Sequence, residues 1–179
     1  MRTTTLWQRR PFRSAKRRGG LGVRPFELLE DRLALAARPV ISEFMADNAG
    51  ALLDGDGNAS DWIEIFNAGD AQANLANWSL SDDAGDPVKW PFPAITLAAG
   101  EYLVVFASGQ PVSDYVDAGG SYHTNFGLSL NGEYLSLAEN GVVQQDFGTQ
   151  FPAQIEDVSY GLDMATNTLV GPVTPLEYL

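Results

Sequence analysis

The stretch Asp54–Asn67 reads DGDGNASDWIEIFN, and its first half has the residue types and spacing of a calcium loop. An EF-hand loop carries oxygen ligands at positions 1, 3, 5 and 7, glycine at position 6 and glutamate at position 12. Four residues fit the ligand positions in order: Asp54, Asp56, Asn58 and Ser60. Ala59 stands at position 6 and Ile65 at position 12, so this stretch is not an EF-hand.

Two interpretations of this loop stay open. In the first, its hard oxygens bind Ca²⁺ within a β-loop, with a ligand set of Asp54, Asp56, Asn58, Ser60 and Asp61. In the second, the loop is polar and binds no metal: its Asp and Asn side chains cap its own turns, and its glycines supply positive φ angles. Mutual repulsion of the crowded carboxylates slightly favours a bound cation. Calcium is the one cofactor that the sequence suggests.

His123 is the single histidine of the chain, and a Ser-His-Asp hydrolase would need it. It stands in the segment HTNF, which the family resemblance described below makes the start of a strand, and we predict no catalytic role for it. No pair of acids is set apart as the carboxylates of a glycosidase. We therefore expect no catalytic residues and no enzyme, although a pocket that paired His123 with a nucleophile would favour one.

Trp62, Trp78 and Trp90 have two interpretations. Exposed and coplanar indole rings would stack on sugars, as in carbohydrate-binding modules. Tryptophans more often fill the core of a sandwich or cover its edge, because each buries a large apolar area. We expect these three in the core.

The charge of the chain is divided sharply between two segments. Residues 1–38 hold ten of the eleven Lys and Arg residues and three acids, a net charge of +7. Residues 39–179 hold Lys89 as their one base and twenty acids, a net charge of −19. The acidic part should repel nucleic acid, because phosphate binding needs Lys and Arg. No apolar run approaches the roughly 20 residues that span a bilayer, and the absence of cysteine excludes disulfides.

The acidic part has the pattern of an all-β domain. Short runs of β-branched and aromatic residues recur, separated by Gly, Asn, Asp and Pro, and none keeps a helical period. In Trp62–Phe66, Ile63 and Ile65 should share one face of a strand. Asn131-Gly132 and Asn140-Gly141 predict hairpin turns, the first between strands over 125–130 and 133–138. Eight or nine short strands in this length predict an antiparallel β-sandwich.

Several segments, in this order along the chain, resemble the lamin tail domain of bacterial secreted proteins. They are ISEF at 41–44, SDWIEIFN at 60–67, LANWSLSD at 75–82, WPFP at 90–93, LAAGEYL at 97–103, HTNFGLS at 123–129, GEYLSL at 132–137 and DVSYG at 157–161. The resemblance covers roughly residues 39–162. It implies an immunoglobulin-like sandwich that serves as a non-catalytic adhesion or docking module.

The basic segment carries a second resemblance. FELLEDRLAL at residues 26–35 follows an Arg/Lys-rich stretch and resembles the FExLEDRxLLA segment near the start of many modular bacterial surface proteins. This implies an exported, cell-surface or extracellular protein; a basic arm that contacts a polyanion is the alternative. We expect residues 1–38 to form a poorly ordered or short helical leader, residues 39–162 the sandwich, and residues 163–179 a loose tail. Two interpretations of this tail stay open: a truncated link to further modules, or the loose end of a single-domain protein.

The function predicted from these features is adhesion or docking at the cell surface, with a protein or a cell-surface polysaccharide as partner. The alternative is a carbohydrate-binding module that targets a hydrolytic partner. The sequence does not indicate the oligomeric state.

Overall fold

Eleven short strands make up the described part of the chain. The computed structural model describes residues 36–112 and 114–162. In chain order the strands are β1 (Pro39–Met45), β2 (Asp61–Asn67), β3 (Ala73–Asn74), β4 (Trp78–Ser81), β5 (Trp90–Pro91), β6 (Thr96–Leu97), β7 (Tyr102–Ala107), β8 (Tyr122–His123), β9 (Ser136–Glu139), β10 (Val142–Asp146) and β11 (Tyr160–Gly161). A 3₁₀ turn at Leu75–Asn77 joins β3 to β4.

The predicted leader, apart from residues 36–38, and the predicted tail over residues 163–179 lie outside the described residues. Within residues 36–112 and 114–162, no helix has the length and apolar character that crossing a membrane requires.

The strands form two main sheets, which confirms the predicted all-β sandwich. One sheet has five strands in the order β11-β1-β2-β7-β8, and the other has four in the order β10-β9-β4-β5. Strands β3 and β6 pair separately as a small third sheet. All pairs are antiparallel except β7 and β8, which run parallel. That parallel pair differs from the fully antiparallel sandwich predicted from the sequence.

The core lies between the two main sheets. Alternation along β2 turns Ile63 and Ile65 inward, where both are fully buried, as predicted. Val105 of the same sheet meets Leu80 and Leu137 of the other in one apolar cluster. Each side chain of this size stabilises the fold by about 1.5–3 kcal/mol relative to an exposed one. This packing holds the ends of β7 and β8 rigidly, and the candidate site is built there.

One of the two Asn-Gly pairs forms the predicted hairpin. Asn140 and Gly141 both have positive φ angles, 50° and 75°, and they connect β9 directly to β10. Two consecutive positive φ angles give the turn the same twist as the strands that it joins.

The prediction of a hairpin at Asn131-Gly132 is wrong. Gly132 donates its N–H to Ser129 O within a turn, and no strand spans residues 125–130. The chain after this turn pairs elsewhere, since Phe151 N–H donates to Glu133 O. Gly132 is required because an added Cβ would overlap Phe151 O. Its positive φ serves a close chain crossing, which the dipeptide alone does not distinguish from a hairpin.

The three tryptophans are buried, as predicted. Trp78 and Trp90 lie in the main core, with 9% and 4% of their surface exposed. Trp62 is 8% exposed and packs with Met45 and Phe106 in a second, smaller cluster. None of the three presents a ring face for stacking on sugars.

Candidate functional site

The carboxylate of Asp54 organises the loop over residues 54–60. Its Oδ1 accepts the backbone N–H groups of Asp56 (3.1 Å) and Asn58 (2.8 Å), and its Oδ2 accepts the Ser60 hydroxyl (3.0 Å). Burial tends to raise the pKa of Asp54, but these hydrogen bonds outweigh burial and lower the pKa below its ordinary value. The side chain therefore caps its own turn, as the metal-free interpretation of this loop requires.

A second buried carboxylate, Asp117, closes the facing loop. Its Oδ1 accepts the backbone N–H groups of Gly119 and Ser121, both at 2.8 Å. Its Oδ2 accepts the N–H of Gly55 at 2.6 Å, and this bond ties the two loops together. Burial tends to raise the pKa of Asp117, but hydrogen bonds from the loop backbones and from His123 lower it to about 2. The group is therefore ionised at neutral pH.

The two loops meet at a pair of glycines. A Cβ on Gly55 would overlap the backbone nitrogen of Gly119 and the Asp117 carboxylate. A Cβ on Gly119 would lie 2.8 Å from the Gly55 Cα, closer than real contacts allow. The glycines of both loops are thus required by close approach, not only by backbone angles.

His123 connects Asp117 to a serine. Its Nε2 lies 3.1 Å from Asp117 Oδ2, and its Nδ1 lies 2.9 Å from Ser108 Oγ. Because an ionised Asp117 only accepts, a neutral imidazole donates from Nε2 and leaves Nδ1 to accept the Ser108 hydroxyl proton. The ring packs against Phe106, with centroids 5.5 Å apart, and meets Tyr115 edge-on at 5.2 Å.

These groups line one polar pocket of about 280 Å³. Its lining residues are Asp54, Asp56, Asn58, Ser60, Ser108, Gln110, Tyr115 and His123. Tyr115 donates its hydroxyl to Asp56 Oδ2 at 2.5 Å. This hydrogen bond to a carboxylate raises the pKa of Tyr115, with burial adding to the effect. The pocket is acidic, since Asp54 and Asp56 face it and Asp117 lies directly behind His123.

The structure separates the five predicted calcium ligands. Four of them, Asp54, Asp56, Asn58 and Ser60, line the pocket together. Asp61 does not line it: its Oδ1 accepts Asn48 N–H at 3.3 Å, and burial raises its pKa. The donor set of the four is chemically suited to a hard cation. In the part of the chain that is described, however, no three acidic or histidine side chains converge so that they could hold a metal ion.

Four residues of this site were not predicted as members of it. Ser108, Gln110, Tyr115 and Asp117 lie more than 45 positions from the calcium-like loop in the chain, so spacing gave no link between them. One local signal was present: an acid followed by two glycines in Asp117-Ala118-Gly119-Gly120 marks a turn closed by its own side chain. The prediction that His123 begins a strand is wrong: His123 is the last residue of the two-residue strand β8, and no strand follows it over residues 125–130.

The glycine contact gives the first prediction. We expect Gly55→Ala to lower the free energy of unfolding by about 1–3 kcal/mol, because the methyl group forces the two loops apart. Gly127→Ala is the matched control, since its Cβ would meet Ala107 O at an ordinary 3.6 Å. The control should stay within about 1 kcal/mol of the parent chain in urea unfolding. Equal effects of the two substitutions would contradict the steric reason.

The low pKa of Asp117 predicts a pH dependence of stability. Its folded-state pKa of about 2 lies below the ordinary 3.8, so its stabilising contribution is full above about pH 4 and disappears as the pH falls towards 2. Urea unfolding of the parent chain and of Asp117→Asn should therefore give a stability difference that shrinks through this range. A difference that stays constant between these pH values would show that the charge contributes nothing.

The chain was compared with known proteins. The sequence model of the Lamin Tail Domain family matches residues 34–150. No curated protein matches the chain. The match covers more than half of the chain, and its range contains every residue of the polar pocket and ten of the eleven strands. The chain therefore belongs to the lamin tail domain family.

Proposed function

We propose that this chain is an exported docking module that binds a protein partner at the cell surface. Lamin tail domains are immunoglobulin-like and often serve in protein interactions, and they form a non-catalytic family. The FELLEDRLAL segment behind an Arg-rich stretch supports export. Fractionation of cells that express the full chain and a chain lacking residues 1–38 tests this point. Equal recovery of both chains inside the cell would contradict export.

The observation that carries the docking proposal is a groove beside an open sheet edge. Among the strands of residues 36–112 and 114–162, β10 is the last of its sheet and pairs only with β9. Val142 and Val143 on this strand are 62% and 37% exposed. An unpaired strand edge with exposed β-branched side chains is a template for an added strand. Natural domains use such edges to bind extended peptides through main-chain hydrogen bonds.

The groove itself has a volume of about 510 Å³ and follows β10 and the start of β1. Gln145 crosses between the sheets here: its Oε1 accepts Ile41 N–H at 2.8 Å, and its Nε2 donates to Ile41 O at 2.9 Å. The Gln145 side chain thus makes the hydrogen bonds to the Ile41 backbone that a neighbouring strand would otherwise make. These bonds close the floor of the groove. Trp78 and Val40 add apolar surface to the walls.

Charge identifies the class of segment that suits this groove. Glu139 and Asp146 line it beside Arg38, and residues 39–179 carry a net charge of −19. A field of this sign attracts a basic partner and repels acidic ones, more strongly at low salt. The proposed ligand is therefore an extended protein segment with Lys or Arg side chains.

Carbohydrate binding is the alternative function, and the buried tryptophans weigh against it. The most exposed aromatic ring among the described residues is that of Tyr102, which is 58% exposed and stacked on Phe66 with centroids 4.4 Å apart. This pair lies on β2 and β7, away from the groove beside β10. The two functions therefore depend on different residues.

Selection of short random peptides on the full chain tests the docking function. We expect basic extended sequences to be enriched and to bind less tightly as salt rises. Val143→Asp should weaken the selected peptides by about tenfold or more, which is ~1.4 kcal/mol. Tyr102→Ala, the control on the other sheet, should leave them unchanged.

Selected peptides that bind Val143→Asp as well as the parent chain would contradict docking at β10. Glycan binding that Tyr102→Ala abolishes, with no peptide enrichment, would support the carbohydrate alternative instead.

Calcium binding at the loop over residues 54–60 stays a prediction. We infer that a bound ion would contact Asp56 and the outer lone pairs of Asp54, because the hydrogen bonds within the loop already use part of the Asp54 carboxylate. Millimolar calcium should then raise the melting temperature relative to EDTA. Asp56→Asn should remove that rise and Asp61→Asn should keep it, since Asp61 does not line the pocket. A melting temperature that calcium does not change would exclude the site.

A further inference from the structure

Ser108, His123 and Asp117 form a continuous chain of hydrogen bonds that ends at the polar pocket. Ser108 Oγ lies 2.9 Å from His123 Nδ1, and Asp117 Oδ2 lies 3.1 Å from His123 Nε2. We propose that Ser108 is a nucleophile for acyl transfer, with His123 as its general base and Asp117 as the positioning residue. This activity goes beyond the non-catalytic character of the family, and it neither involves nor depends on docking at β10.

Along this chain of hydrogen bonds, burial decreases from Asp117 and His123 to Ser108, as the chemistry requires. Asp117 and His123 are 6% and 3% exposed, whereas Ser108 is exposed and lines the pocket. The buried pair is shielded from water, so the interaction between carboxylate and imidazole is stronger than at a surface. The hydroxyl remains accessible to a substrate. The same three residue types in this relation perform nucleophilic catalysis on several unrelated folds.

The two ring nitrogens have exchanged places relative to the common arrangement, in which serine meets Nε2. Here serine meets Nδ1 and the carboxylate meets Nε2. Either nitrogen of imidazole is a base when the other carries the proton. Asp117 accepts a proton from Nε2 and so keeps Nδ1 free to accept from Ser108. The exchange therefore changes the orientation of the ring and not its chemistry.

The reaction on an ester or thioester proceeds in two balanced steps. Ser108 Oγ attacks the carbonyl carbon, its proton passes to Nδ1, and the π electrons of the carbonyl move to oxygen. The carbonyl re-forms as the bond to the leaving group breaks, and the leaving group takes the proton from Nδ1. Water then attacks the acyl-serine with the same base, which releases the acid and restores the Ser108 hydroxyl.

A donor for the developing oxyanion is present in the pocket. The side-chain amide of Gln110 lines it beside Ser108 and makes no hydrogen bond with any other described residue. Removing one such donor from an acyl-transfer site typically costs about 10²–10³ in rate. Gln110 is thus the pocket side chain that remains free to stabilise negative charge on the substrate.

The acidic walls select the substrate class. In the calcium-free chain, Asp54 and Asp56 line the pocket together with Ser108, so an anionic substrate is repelled and a cationic group is attracted. Tyr115 covers part of Asp56 through its hydroxyl and adds an aromatic surface for a cation. We assign the site to small acyl esters or thioesters whose leaving group carries a positive charge.

Ser108, His123 and Asp117 would make the same hydrogen bonds if their role were purely structural. The test therefore measures the chemical reactivity of position 108. The chain has no cysteine, and Ser108→Cys therefore introduces a unique thiol beside His123. An imidazole beside a thiol promotes the reactive thiolate. We expect iodoacetamide to alkylate this thiol at neutral pH about tenfold faster than the thiol of Ala99→Cys, an exposed control outside the pocket.

Equal alkylation rates in the two variants would show that His123 does not activate the position. In the double variant Ser108→Cys, His123→Gln, the rate should fall to that of the control. A rate that stays high in a folded double variant, as judged by its melting temperature, would overturn the role of His123.

Turnover by the full chain with its native serine provides the second test. Acetylthiocholine should be hydrolysed faster than its neutral carbon isostere, 3,3-dimethylbutyl thioacetate, and thiol release should disappear in Ser108→Ala. Gln110→Ala should lower the rate while the melting temperature stays unchanged. A fluorophosphonate should form a Ser108 Oγ–P bond with release of fluoride and transfer of the serine proton to His123. Labelling of Ser108 no faster than in the urea-unfolded chain would overturn the proposal.

Discussion

The buried carboxylate of Asp117 is the interaction on which the arrangement of the site depends. It accepts hydrogen bonds from three backbone N–H groups and from His123, across two loops that are distant in sequence. A buried charge is costly unless it is paired and hydrogen-bonded, and here these donors offset that cost. The same bonds hold Gly55 against Gly119 and orient the His123 ring, whose other nitrogen meets Ser108.

The sandwich supplies what these loops cannot supply for themselves. Strand β7 lies between β2 and the edge strand β8, and Ser108 follows its last residue and lines the pocket. The short β8 brings His123 alongside Phe106 in parallel register. The apolar core fixes the positions of the two sheets. The loops therefore need only span the distance between the ends of the strands. Among the described residues, β10 is the last strand of the other sheet and contributes nothing to the polar pocket. The docking surface that we propose at β10 and the polar pocket therefore involve different residues.

Much of the fold followed from residue patterns, and each failure has an identifiable reason. The alternation of Ile63 and Ile65, the burial of the tryptophans and the Asn140-Gly141 hairpin depend on local geometry, and all were confirmed. Asn131-Gly132 offered the same local signal, but in the structure the backbone of Gly132 passes close to the carbonyl oxygen of Phe151 and forms no hairpin. Strands β3 and β8 have two residues each, too few to show a period of two. Their existence depends on the partners that the core brings to them.

The loop over residues 54–60 shows most clearly which features depend on the local sequence and which depend on the tertiary structure. Its sequence by itself offered a polar turn capped by its own side chains as one of two interpretations, because an Asp carboxylate often accepts the backbone N–H two residues later. The sequence also determined a strand directly behind the loop, through the alternation of DWIEIF. Only the tertiary structure decided that Asp61 faces away from the pocket, and that Asp117, His123 and Ser108 face the loop. Contacts between distant segments depend on how the sheets pack, and that packing is a property of the whole core, which no short stretch of sequence contains.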